Sequence, residues 1–112
     1  MLAALTFSDQ AWAIDCESVA GHIAGMKAKA TRHAEMRGSR LTVTGKIGTK
    51  DFAVRDIPCV ALAKGVLCEK TVGTASISIT TNGNRMIESI TDTATGVEQA
   101  GYAYACNGGL KL

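Results

Sequence analysis

Residues 15–38, DCESVAGHIAGMKAKATRHAEMRG, decide the fold, because their pattern fits a long helix and also fits a strand. Asp15 can accept hydrogen bonds from the first free N–H groups of a helix, and Gly38 can adopt the left-handed conformation that ends one. At about 100° per residue, five apolar side chains fall on one stripe: Val19, Ile23, Met26, Ala30 and Ala34. The stretch therefore predicts an N-terminal helix over residues 16–37.

A strand is the competing interpretation, because residues 26–36 also alternate between apolar and charged side chains. Propensity favours the helix, since Ala, Met, Lys and Glu are good helix formers and Thr31 is the only β-branched residue in the window. Gly21 and Gly25 oppose the helix at about 1 kcal/mol each.

The rest of the chain predicts short antiparallel strands. Residues 40–47 alternate cleanly, a second strand around Phe52 ends at Pro58, and residues 60–69 predict a third. Residues 75–80 and 85–93 flank Asn82 and Gly83, which form the strongest turn signal, and residues 101–106 predict the last strand. We therefore predict an α+β domain in which the helix packs on a bent antiparallel meander of about six strands. The alternative is a small all-β barrel.

Composition predicts a single domain with a lean core. The chain has 112 residues, of which 46% are apolar and only 4% aromatic, so the core must be aliphatic and cross-links would help it. Residues 1–13, MLAALTFSDQAWA, resemble the end of a secretory signal with a small-x-small cleavage site, and residues 14–112 would be the domain. A disordered apolar tail is the alternative. No other segment is long and apolar enough to span a membrane.

Four cysteines in a small exported domain predict two disulfides. We expect Cys59–Cys68 to bridge a hairpin and Cys16–Cys106 to join the first and last parts of the chain. Their spacing does not match a zinc site or a redox Cys-x-x-Cys pair. The predicted location is therefore periplasmic or extracellular.

The charge distribution predicts a binding surface. Residues 27–55 contain eight basic side chains against Glu35 and Asp51, which favours an anionic partner, such as an acidic envelope or extracellular protein. The candidate binding residues are basic or lie in the predicted turn: Lys27, Lys29, Arg32, Arg37, Asn82, Asn84 and Arg85. A solvated face that keeps the protein soluble is the alternative. Aromatic side chains are not interleaved with these basic residues, so the sequence does not predict nucleic-acid binding.

Two histidines and two methionines suggest a second function, copper binding, because imidazole and thioether groups are suitable copper ligands: His22, Met26, His33 and Met36. On a helix His22 and Met26 would be one turn apart, whereas His33 would be too distant to share the ion. Catalysis is not predicted, because both histidines lie in one basic stretch and the cysteines are expected to be bridged. The sequence therefore predicts a non-catalytic, cofactor-free binding module of the inhibitor, immunity or accessory type.

Overall fold

The computed structural model describes residues 11–112, which form nine strands and no helix. The strands are β1 (Ala11–Ile23), β2 (Met26–Lys27), β3 (Ala30–Arg37), β4 (Arg40–Ile47), β5 (Lys50–Leu62), β6 (Gly65–Val72), β7 (Ala75–Asn82), β8 (Arg85–Asp92) and β9 (Glu98–Cys106). Each strand pairs antiparallel with the next from β3 to β9, and β1 pairs with both β3 and β9. Eight strands therefore close into a barrel, and the two-residue β2 extends the edge of β1. The domain contains no helix long and apolar enough to cross a membrane within its described range.

The predicted helix over residues 16–37 is wrong, and the alternative all-β barrel is correct. Those residues form most of β1 and all of β2 and β3, with a tight turn at Ala24 and Gly25, whose φ angles are 51° and 80°. Positive φ at both central residues matches the right-handed twist of a hairpin. Helix propensity was misleading because the preference of a residue for a strand depends mainly on its burial and its cross-strand neighbours. The sequence of residues 16–37 alone does not show which residues those neighbours are.

The strand alternation within the same stretch is present in the structure. On β3, Ala30, Arg32, Ala34 and Met36 face the barrel interior, and Thr31 and His33 face outward. Burial along β3 therefore follows the period-two alternation that the strand interpretation of residues 26–36 was based on.

The segment predicted as one strand over residues 60–69 is a hairpin instead. β5 continues through Pro58 to Leu62, and β6 begins at Gly65. Pro58 is the last β5 residue that pairs with β4, and pairing with β6 starts at Cys59. The missing N–H of proline is tolerated there because β5 changes its partner at that point.

The barrel interior is mostly aliphatic and is cross-linked by both predicted disulfides. Cys16–Cys106 joins β1 to β9, and Cys59–Cys68 joins β5 to β6, each between directly opposed residues. Leu110, from the segment after β9, is also buried against the core. Two disulfides in a small domain are typical of proteins from oxidising compartments.

The segment predicted as a signal overlaps the barrel in part. Residues 12 and 13 belong to β1 and pair with Met36 and Glu35 of β3. Residues 1–10 lie outside the described part of the chain, so the predicted boundary at residue 14 stays a prediction.

Candidate functional site

A row of mostly apolar residues runs across the outside of six strands. Cross-strand register aligns its members from β5 through β9 to β1, and we call it the outer row: Val60, Leu67, Thr80, Ile87, Ala103 and Ala20. Val60 and Ile87 expose 58% and 59% of their surface, and Val19, in the bulge next to Ala20, exposes 65%. Adjacent strands lie about 4.8 Å apart, so these side chains form a continuous band. Large exposed apolar side chains aligned in this way indicate an interaction surface.

A shallow hollow of about 260 Å³ lies at the β8–β9–β1 end of the outer row. Small residues on β1 and β9, among them Ala20, Gly101 and Ala103, form it beside Ile87. The carboxylate of Glu98 lies over Gly101, where it contacts His22 Nε2 at 3.0 Å and accepts a hydrogen bond from Ser89 Oγ. A side chain on residue 101 would collide with this arrangement, because its Cβ would lie 2.9 Å from the His22 ring. The hollow therefore has an apolar side and a hydrogen-bonded side.

The pairing of β1 with its other neighbours is interrupted beside this hollow. β1 pairs with β3 as far as Glu17 and with β2 from His22 onward, and no cross-strand register links the residues between them to β2 or β3. In its pairing with β9, β1 has a register shift between Ser18 and Ala20. Bulges of this kind redirect side chains and are frequent next to binding sites.

The interruption leaves a depression of about 480 Å³ between the two edges, which we call the lysine trough. Ala28 N donates to Gly21 O at 3.1 Å, and Ala30 N donates to Ser18 Oγ at 2.9 Å, so the edges remain connected. The trough is lined by Ser18, Val19, Ala20, Gly21, Lys27, Ala28 and Lys29. Ala20 thus belongs both to the trough and to the end of the outer row, and Gly21 lines both the trough and the hollow.

The predicted binding residues do not form one surface. Lys27 and Lys29 are exposed and line the trough, and Arg37 is exposed at the turn between β3 and β4, where its Nη2 donates to Glu35 Oε1 at 3.1 Å. The second group is exposed at the turn between β7 and β8: Asn82, Asn84 and Arg85.

Arg32 must be removed from the predicted binding surface, because it lies inside the barrel with 2% of its surface exposed. Its Nε and Nη2 donate to the two carboxylate oxygens of Glu88 at 2.9 and 2.7 Å. Nη1 donates to the backbone carbonyls of Thr31 and Lys46, at 2.9 and 3.3 Å, and the guanidinium lies 4.0 Å above the ring centre of Phe52. A buried guanidinium with this many partners is not available to a ligand.

Tyr104 completes the buried cluster. Its hydroxyl donates to Glu88 Oε1 at 3.2 Å, and burial, followed by the nearby Glu88 charge, raises the pKa of Tyr104 far above its ordinary value. Burial also raises the pKa of Tyr102, whose hydroxyl has no hydrogen-bond partner within residues 11–112. Both rings therefore stay protonated and uncharged throughout the physiological pH range.

The helical spacing on which the copper hypothesis depended is absent from the structure. His33 and Met36 face opposite sides of β3, since His33 is exposed and Met36 is completely buried. His22 contacts Glu98, whereas Met26 lies at the β1–β2 turn with 73% of its surface exposed. Within residues 11–112, no group of three or more His, Cys, Asp or Glu side chains is arranged to hold a metal ion.

His33 forms a separate surface cluster with two carboxylates. Its Nδ1 lies 2.8 Å from Asp15 Oδ1, and its Nε2 lies 3.6 Å from Glu35 Oε2. The hydrogen bond to Asp15 is the largest cause of a raised His33 pKa, and partial burial opposes it. The cluster supports β1–β3 pairing from outside the barrel, because Asp15 and His33 are directly opposed.

Sequence reasoning missed the outer row because β8 has charged and apolar side chains on both faces. Glu88 points inward to Arg32, and the neighbouring Ile87 points outward, the reverse of the usual order. The available signal in the sequence was the alternation of Met86, Glu88 and Ile90 with Ile87 and Ser89, which places the two sets on opposite faces of β8.

No match to the chain is found among protein-family models, curated proteins or solved structures.

Proposed function

We propose that this protein is an exported, non-catalytic binding module, periplasmic or secreted, that binds another protein through the outer row. The observation that carries the proposal is the exposed apolar side chain of Ile87, which lines the hollow together with Ala20 and Ala103. Burying such side chains against a partner removes apolar surface from water, which is the main source of interface stability.

Two further features support a binding role. Inward-facing side chains fill the barrel, so recognition is expected on its outside. All four cysteines form disulfides, so none is available as a thiolate nucleophile.

The proposed location is supported by the cross-links and by the signal-like sequence of residues 1–13. Disulfides persist in oxidising compartments and are rare in the cytosol. The same oxidising compartment is where an accessory or inhibitory partner would be encountered.

Substitution of Ile87 by Asp tests the proposal. The carboxylate would place a desolvated charge in the interface, and we expect the affinity for the partner to fall by about thirtyfold or more, the effect of losing a hot-spot side chain. The measurement is quantitative capture from periplasmic extract and culture supernatant on immobilised wild-type and variant protein, with circular dichroism to confirm the fold.

Val97→Asp is the matched control, because Val97 is 60% exposed but lies in the connection between β8 and β9, outside the outer row. It should retain the partner as well as the wild type does. A partner that is captured equally by wild type and by Ile87→Asp would refute binding through the outer row.

A further inference from the structure

We propose that the lysine trough receives an extended segment of the partner that alternates acidic and apolar residues. This inference rests on the proposed function, since the segment belongs to the protein bound by the outer row. The trough and the hollow at the end of the outer row share Ala20 and Gly21, so a chain lying along one reaches the other without a gap.

Charge complementarity identifies the acidic component. Lys27 and Lys29 form one wall of the trough, both are exposed, and neither has an ion-pair partner among the residues that the structure describes. Lys46, beyond the end of the trough, is different, because its Nζ already contacts Asp51 Oδ1 at 2.7 Å. Two unpaired ammonium groups on one wall therefore attract carboxylates.

The opposite wall identifies the apolar component. Val19 protrudes from the bulge with 65% of its surface exposed, and Ala20 and Gly21 leave space beside it. An apolar side chain can contact this wall while its neighbours in sequence face the lysines. An extended segment provides that arrangement, because successive side chains point to opposite sides.

The backbone of the trough excludes the addition of a strand to β1. The hydrogen bonds from Ala28 N to Gly21 O and from Ala30 N to Ser18 Oγ hold the two edges together. The segment therefore lies over the trough and contacts it with side chains. This differs from strand addition, in which main-chain hydrogen bonds to a free edge supply the affinity.

A uniformly charged polymer fits the site less well than such a segment. The neighbouring depression, which shares Ser18 and Lys29 with the trough, also contains the exposed carboxylate of Glu17. A sulfated polysaccharide or nucleic acid would carry negative charge onto Glu17 and onto the apolar wall. An alternating segment avoids both contacts.

The test uses a fluorescein-labelled peptide of alternating Glu and Val, with alternating Lys and Val as the reverse-charge control, measured by anisotropy with the full chain. We expect saturable binding of the Glu-Val peptide, a decrease in affinity with added salt, and no binding of the Lys-Val peptide. Lys27→Glu with Lys29→Glu should weaken binding by about tenfold, the effect of losing two exposed ion pairs. Val19→Asp, which changes the apolar wall alone, should also weaken it.

The matched control is Lys64→Glu with Lys111→Glu, which makes the same change in net charge far from the trough and should leave peptide affinity unchanged. Equal peptide binding by wild type and by the Lys27 and Lys29 variant overturns the inference, as does heparin binding through these lysines without peptide binding. Either result is separable from the proposed function, because loss of the natural partner in Ile87→Asp depends on the outer row alone.

Discussion

The buried ion pair of Arg32 and Glu88 dominates the interior at the scale of single residues. Both side chains are inaccessible to solvent, and they link β3 to β8 across the barrel. Two parallel, charge-assisted hydrogen bonds join the guanidinium to the carboxylate. Tyr104 donates a further hydrogen bond to Glu88, and two backbone carbonyls accept hydrogen bonds from Arg32. Removing a charge from water is costly, so the pair is stable only as a complete network.

Removal of one partner should therefore be far more harmful than removal of both. We expect Arg32→Met alone to lower the free energy of unfolding by about 3–5 kcal/mol, because Glu88 would remain buried without its counter-charge. The double variant Arg32→Met with Glu88→Leu should lose much less, since no buried charge remains. Urea unfolding under oxidising conditions, followed by circular dichroism, measures both.

The outcome against this interpretation is a double variant that is as unstable as Arg32→Met or less stable. That result would mean that the pair contributes more than its desolvation costs. Tyr104→Phe added to the double variant is the control for the hydroxyl that loses Glu88 as its acceptor.

At the scale of elements, the close approach of β3 and β4 at Gly45 sets the position of this network. Gly45 is opposite Arg32, and a Cβ at residue 45 would lie 1.9 Å from the carbonyl oxygen of Thr31. The carbonyls of Thr31 and Lys46 both accept hydrogen bonds from Arg32 Nη1. Gly45 therefore lets β3 and β4 approach closely enough for both carbonyls to accept hydrogen bonds from the Arg32 guanidinium.

Gly45→Ala should move the Thr31 carbonyl and weaken the network. We expect the free energy of unfolding to fall by about 1–3 kcal/mol, the usual effect of forcing an extra methyl group into a packed site. Gly108→Ala is the control, because its Cβ would meet Ile14 at 3.4 Å, an ordinary contact. Thermal unfolding of the two variants beside wild type checks the difference, and equal midpoints would contradict it.

At the scale of the whole molecule, the disulfide Cys16–Cys106 fixes the closure of the barrel. It joins the first strand to the last, across the β1–β9 pairing that closes the barrel, and its sequence separation is 90 residues. Cys59–Cys68 has a separation of 9 and lies within a hairpin. The two bridges therefore restrict the unfolded chain to very different extents.

The double variants Cys16→Ala with Cys106→Ala and Cys59→Ala with Cys68→Ala should separate these contributions. In the chain-entropy model the long loop contributes about 4–5 kcal/mol and the short loop about 2–3 kcal/mol. We therefore expect the first variant to be less stable by about 2 kcal/mol in urea unfolding. A smaller loss in the first variant than in the second would show that closure does not depend on the long bridge.

The sequence by itself determined the local features of this protein. Four cysteines in a small chain indicated both disulfides, residues 40–47 form the strand that their alternation predicted, and the signal at Asn82 and Gly83 lies at the turn between β7 and β8. These features depend on residue type and short-range spacing, which a sequence contains directly. Charge alone predicted Lys27 and Lys29 as binding residues; both are exposed, and their role in binding stays a prediction.

Only the tertiary structure decided whether residues 16–37 form a helix or strands, and where Arg32 lies. Their alternation became decisive once β1 and β3 could pair, because cross-strand hydrogen bonds and burial outweigh helix propensities of a fraction of a kcal/mol per residue. Arg32 became an interior residue only because Glu88, 56 positions later, is brought opposite it. The outer row has the same origin, since register across six strands aligns side chains that are distant in sequence.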